Sequence, residues 1–393
     1  MEVFKYDELR VKKIDEFMKK LVEAKNSSEK VKIYKEYEED VLNITPLDIF
    51  YLSFYQNDTE LSIAEIKESA NRFVNVFHKG IAKYASFGDH PLFKELLEEN
   101  RRMENHLAKF KPYYKKDIIL SKRKELIEIF EKANSFELKF QKFENIIFPH
   151  LEKYLPSTKP LEVLWELHDD SKDLLSKIMN LLNSEITTEE ELIKEIGNYH
   201  YLIFGINQKE ELILLPVMKQ LLSEEEHSKI YNECLSIGFV FAKKDLEKIN
   251  IEDEINDVGF FTSKTGKMDF KQLLLMLNNL PFDITYVDKD DKVIYYNESK
   301  NRHFPRTPSV IGREVKNCHP PKSVKIVEDL IDDFKNNKKD FEEFWINFKG
   351  KVLYIAYYAL RDDQGNYQGV LEASQDISRF INLEGEKRLV DSD

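Results

Sequence analysis

KFENIIFPHLEKYL, residues 142–155, and KEELILLPVMKQLL, residues 209–222, close two helical segments in the same way. In each, a glutamate (Glu144 or Glu211) stands five residues before a proline (Pro149 or Pro216), with an apolar run between. Apolar residues recurring at i, i+3, i+4 and i+7 mark the buried face of a helix. Over 121–153 that stripe holds Phe130, Phe140, Ile147 and Leu151, and Glu137 and Glu144 fall within it. Over 188–221 it holds Ile193, Ile196, Phe204, Leu214 and Met218, interrupted by His200, Asn207 and Glu211. Each residue advances about 100° around the axis, so His200 and Glu211, eleven apart, return to within about 20° of one direction. Removing such groups from water without a partner or a metal costs several kcal/mol, so their place on the core face calls for an explanation.

The neighbouring segments repeat the pattern. A helix over 159–182 presents Leu161, Leu164, Trp165, Leu175 and Met179, with His168 among them, and one over 90–111 sets His90 beside Phe93 and Leu97. Four helices therefore each offer an inward imidazole or carboxylate. Four-helix bundles build di-iron and di-manganese centres by this means, leaving an open position for a small ligand. A buried hydrogen-bond network is the alternative use of the same groups. The chelating H-x-x-x-E pair is absent, since His150 is followed at +4 by Tyr154 and His168 by Lys172.

Further helices are predicted near 6–24, 29–41, 46–54, 62–83 and 224–247. Capping boxes at Ser62/Glu65, Thr187/Glu190 and Ser223/Glu226 open three of the segments, and Thr45-Pro46 and Asp89-His90-Pro91 read as helix starts. Residues 248–267 lose the helical period and read as a linker. Beyond them the pattern changes to a helix near 269–279, two β-rich runs in DITYVDKDDKVIYYN, an amphipathic helix in SVKIVEDLIDDF, and three strands turning at Lys349-Gly350 and Gln364-Gly365-Asn366. That order describes an α+β domain with an antiparallel sheet and helices on one face. Its candidate ligand-holding residues are Cys318 and His319, which precede Pro320-Pro321 and would suit a small ligand or haem; the prolines equally suit a helix opening. Phe304, Trp345, Phe348 and Tyr354 would line a pocket or pack the sheet.

Composition bounds the rest. A chain of 393 residues exceeds what one hydrophobic core normally serves. The net charge of −13 opposes nucleic acid or an anionic membrane as partner, and it is uneven: residues 261–393 hold 21 basic and 22 acidic side chains, so the excess lies before 261. Cys234 and Cys318 lack the spacing of a disulfide scaffold or a zinc ribbon. No apolar run approaches the roughly 20 residues of a membrane span, and the start lacks a signal peptide's apolar core, so a cytoplasmic location is expected. GxxxxGK[ST], GxSxG and a kinase phosphoacceptor region are all missing, leaving catalysis unassigned and a signalling output to another protein.

These residues resemble an uncharacterised prokaryotic family that joins an N-terminal helical domain of unknown function, a hemerythrin-like (HHE cation-binding) domain and a C-terminal PAS domain. ITPLDI at 44–49, HPLFKELLEEN at 90–100, FENIIFPHLEKY at 143–154, VLWELHDD at 163–170 and LLSEEEHSKIYNECLSIGF at 221–239 carry the resemblance in the helical part. LPFDITYVD, VIGREVKNCHPPKSV and EFWINFKGKVLYI carry it beyond. The resemblance implies helices over 1–84, a four-helix bundle over 85–247, a linker over 248–267 and a PAS domain over 268–382. It implies non-haem iron, mono- or dinuclear, held by His90, Glu144, His168, His200 and Glu211, with another divalent metal or none as the alternatives. Lys139 stands on the turn where a relative would place that helix's histidine. Oxygen or nitric oxide would be the ligand, the PAS ligand is unknown, and an unidentified protein partner and a PAS-mediated homodimer are expected. The implied function is a sensor of oxygen, nitric oxide or redox state relayed by the PAS domain. An iron-dependent oxidoreductase or an NO- or peroxide-handling protein is the second reading, and a metal-free interaction module the third.

Overall fold

The computed structural model describes residues 7–55, 74–242, 246–249, 260–300 and 302–386, and the chain divides into two compact units, Met1–Ile251 and Glu252–Asp393. Among the described residues no helix is long and apolar enough to cross a membrane.

The first unit is helical. α1 (Glu8–Glu23), α2 (Ser27–Glu36), α3 (Glu38–Asn43), α4 (Pro46–Tyr55) and α5 (74–81) precede α6 (Pro91–Leu107). The predicted helix over 62–83 and the Ser62/Glu65 box fall largely outside the described residues. α6 opens as its sequence announces: Pro91 takes the first turn, and His90 caps it by accepting from the Leu92 N–H. The segment 121–153 is a broken rod of α7 (Arg123–Ala133), α8 (Glu137–Lys142) and α9 (Phe148–Glu152). α10 (Lys159–Asn183) crosses it, followed by α11 (Glu189–Lys209), α12 (Leu215–Leu221) and α13 (Glu224–Ile237). α11 is capped by Thr188, one residue later than predicted, and Ser223 with Glu226 forms the predicted box. α13 ends ten residues before the predicted 247. Gly238 there takes φ +93°, a conformation costly for any side chain, and its N–H closes on Cys234 O.

The two quoted stretches share a feature that the 3.6-residue period hides. Phe143–Ile147 and Glu210–Leu214 are wound as π-helix, with Phe148 N–H bonded to Phe143 O and Leu215 N–H to Glu210 O. Pro149 and Pro216 supply no N–H and clash with the preceding turn, and a widened turn accommodates them. The buried apolar residues of this unit form one cluster, from Val11 to Val240.

The first described element of the second unit is a hairpin of β1 (Phe260–Ser263) and β2 (Gly266–Asp269), which starts inside the stretch read as a linker and runs two residues past its end. α14 (Phe270–Asn278), β3 (Asp283–Asp288), β4 (Val293–Tyr296), α15 (Pro321–Lys335), β5 (Phe341–Phe348), β6 (Lys351–Arg361) and β7 (Tyr367–Asp376) follow. The antiparallel sheet runs β4-β3-β7-β6-β5, so the last strand sits at its centre. Val287, Val293, Val310, Ile331, Phe334 and Val370 make its small core between sheet and α15.

Candidate functional site

The helical unit buries an unusual set of charges. Lys139 and Lys142 on α8 are fully buried, as are Glu99 on α6 and Glu210 on the second π turn. Lys139 Nζ lies 2.6 Å from Glu210 Oε2 and donates to Asn100 Oδ1 at 2.5 Å and Asn207 Oδ1 at 2.6 Å. The two amides are oriented in turn, Asn100 donating to Glu211 at 3.0 Å and Asn207 to Glu104 at 2.8 Å. One turn on, Lys142 Nζ pairs with Glu99 at 2.8 Å and donates to Gly238 O at 2.6 Å, while Glu99 also accepts from Val240 N–H.

His168, on α10, is fully buried, stacked on Phe140 with ring centroids 4.4 Å apart. Its Nδ1 shares a hydrogen bond with Glu144 Oε1 at 3.0 Å; its Nε2 lies 3.9 Å from Glu210 Oε1 and has no hydrogen-bond partner among the described residues. Burial, then the Lys172 and Lys139 charges, holds the imidazole well below its usual pKa, so it is neutral. Desolvation pushes the Glu144 carboxyl up to about 8 and that of Glu210 up to about 7, the latter opposed by Lys139.

The five residues predicted to bind iron thus distribute unevenly. Glu144 and His168 meet, and Glu211 reaches the same cluster through Asn100. His90 sits at the α6 cap beside His227 and Ser228, and His200 packs edge-on to Phe110. Asn207 had been read on its apolar stripe; Asn100, Glu210 and Lys139 itself are the members that periodicity missed. Their signal was present as polar residues on apolar stripes, but only a folded chain shows a lysine end facing a carboxylate two helices away.

A ferrous ion requires several imidazole and carboxylate donors converging on one point. Among the described residues no three His, Cys, Asp or Glu side chains do so, and the centre of the donor ring holds an ammonium. A divalent ion beside that buried charge would be repelled by it, so the residues present do not fit iron while Lys139 keeps this position.

In the second unit, Pro321 occupies the first turn of α15, as its sequence suggested. Cys318 Sγ approaches Glu314 O at 3.8 Å. His319 is half-buried near Arg306 and Arg313, and burial followed by those two charges lowers its pKa to about 4. Phe304 packs on Phe348 at 5.5 Å, whereas Trp345 is 67% exposed.

Residues 273–378 match the family model of a PAS domain. Similar solved structures include the C-terminal domain of a Streptococcus mutans protein, 39% identical, covering 33% of this chain and 100% of that one at a TM-score of 0.31. The PAS domain of a Colwellia psychrerythraea protein is 19% identical over 28% of this chain and 97% of that one, with a TM-score of 0.23. The PAS domain of BvgS from Bordetella pertussis is 18% identical over 27% and 85%, also at 0.23. No curated protein matches the chain.

Proposed function

Because its C-terminal unit belongs to the PAS domain family, we propose that this chain is a sensory or regulatory protein, in which the PAS domain takes the signal and the helical unit carries the response to a partner protein. The helical unit is read as a hemerythrin-like bundle that works without metal. One observation supports this above the others: the Lys139 ammonium, hydrogen-bonded to Asn100 and Asn207 and paired with Glu210, supplies the positive charge that a metal would otherwise bring to the buried acids.

The iron-loaded bundle, sensing oxygen, nitric oxide or redox state or turning over a peroxide, is the second reading. The unpartnered His168 Nε2 near Glu210 favours it. Metal analysis of full-length protein from iron-replete cells separates the two. The metal-free reading predicts less than about 0.3 equivalents of iron and a melting temperature that chelator leaves unchanged, because bound metal would add linkage stability. One or two equivalents, lost in His168→Ala, would overturn it.

A further inference from the structure

On the PAS sheet, Thr285 of β3, Glu372 of β7 and Tyr357 of β6 are direct cross-strand neighbours, so they share one face. Two residues further along the same strands are Val287, Val370 and Ala359, which pack with Ile331 and Phe334 of α15. The polar row therefore lies on the inner, helix-bearing face. The connector between β4 and α15 brings three arginines and His319 to it.

Arg302 is fully committed there. It donates to Phe304 O, Asn297 O and Thr285 Oγ1, and its guanidinium lies 5.1 Å over the Tyr296 ring. Arg306 is not. Only 9% of its side chain is exposed, its Nε has no hydrogen-bond partner among the described residues, and its ion pair with Glu372 is long, at 3.9 Å. A guanidinium is always charged and presents a rigid fork of donors. Removing one from water with its Nε–H unsatisfied is costly, and such orphaned donors mark a missing acceptor. Around it, Arg302 and Arg313 add positive charge, set against the carboxylates of Glu372 and of Asp283, which acts on Arg302.

We propose that the inner face of the PAS sheet binds a small carboxylate, its two oxygens taking the Arg306 fork beside Tyr357 and His319. The inference rests on the sensory reading of the PAS domain and names the chemistry of its ligand. A planar carboxylate matches the Nε/Nη edge in bidentate fashion. Burial keeps Tyr357 a protonated hydroxyl and His319 a neutral imidazole, so both remain available as neutral donors. Glu372 opposes a second negative charge, which favours a monocarboxylate over phosphate.

The test is a titration of full-length protein with acetate and with benzoate, alongside inorganic phosphate and chloride, read by the His319 ring signals in histidine-selective NMR. The expected result is a saturable shift with a carboxylate at or below about 20 mM, weakened at least about tenfold in Arg306→Gln. Arg306→Lys, which keeps the charge and loses the fork, should recover only part of the affinity. A spectrum outside the His319 region that matches wild type establishes that each variant folds. No saturable shift with either carboxylate, an unchanged response in Arg306→Gln, or saturation by phosphate alone would overturn the proposal. Chloride reproducing the whole response would do so too, leaving an ionic-strength effect. None of these results touches the metal content of the helical unit, so the wider functional reading fails or stands separately.

Discussion

At the scale of the residue, the helical unit turns on buried charges that are tolerable only together. Removing one member of a buried ion pair strands the other, at a cost of about 3–5 kcal/mol. Lys139→Met should accordingly destabilise the helical unit in urea unfolding, by up to about that amount above pH 7, where Glu210 would have to ionise without its partner, and it deprives Asn100 and Asn207 of their donor. Adding Glu210→Leu should return much of the loss, and a strictly additive double variant would refute the pairing. Glu144 gives a pH dependence of defined sign. Its folded-state pKa is raised from 4.5 to about 8, so between those values the unfolded chain releases a proton that the fold retains, and stability falls as pH rises. Lys172, Asp169 and Glu137 act on the same carboxyl, the lysine lowering its pKa and the two acids raising it. Glu144→Gln should flatten this part of the profile by an amount on the order of 1–3 kcal/mol, while the slope due to Glu210 remains. His168 acts in the opposite sense: its depressed pKa removes stability as pH drops below 6.5, where the unfolded imidazole takes up a proton.

At the scale of the element, local chemistry was legible and its interruptions were not. The α6 and α13 starts follow from Asp89-His90-Pro91 and from Ser223/Glu226, where capping and an N1 proline act within one turn. The five strands of the large sheet follow from alternating, β-branched and aromatic runs between turn residues. The π turns were invisible because a single widened turn barely moves the apolar period; only the repeated Glu-to-Pro spacing hinted at them. The end of α13 at Gly238 was missed because the apolar residues continue through Phe239 and Val240, which leave the helix yet stay buried. The β1–β2 hairpin, short and polar at its turn, was read as linker. On the sheet, Gly369 takes φ +138°, and a Cβ built there would lie 2.1 Å from Val287 O. Gly369→Ala should therefore break the β3–β7 pairing and cost about 3 kcal/mol or more, seen as loss of the PAS unfolding transition near its wild-type midpoint.

At the scale of the whole molecule, the chain holds two units with separate cores, one helical and one built on an antiparallel sheet. The charge balance and the change of period pointed to a division near 260, whereas the two units divide earlier, between Ile251 and Glu252. The occupant of the helical core was not, because a sequence shows which residues face inward and leaves open which of them meet. Residues 260–386 expressed alone should give a cooperative unfolding transition with β-rich circular dichroism, and a molten, non-cooperative melt would contradict an independent PAS unit.

On the proposed reading, the Lys139 ammonium takes the place of a cation among the buried acids of the helical unit. Cobalt(II) titration of full-length wild type and Lys139→Ala, followed by the visible bands of the ion, tests it most directly. Wild type should show no saturable coordination bands, and the variant, with Glu210, Asn100 and Asn207 released near His168, should acquire them. Saturable binding by wild type that Lys139→Ala leaves unchanged would contradict the account.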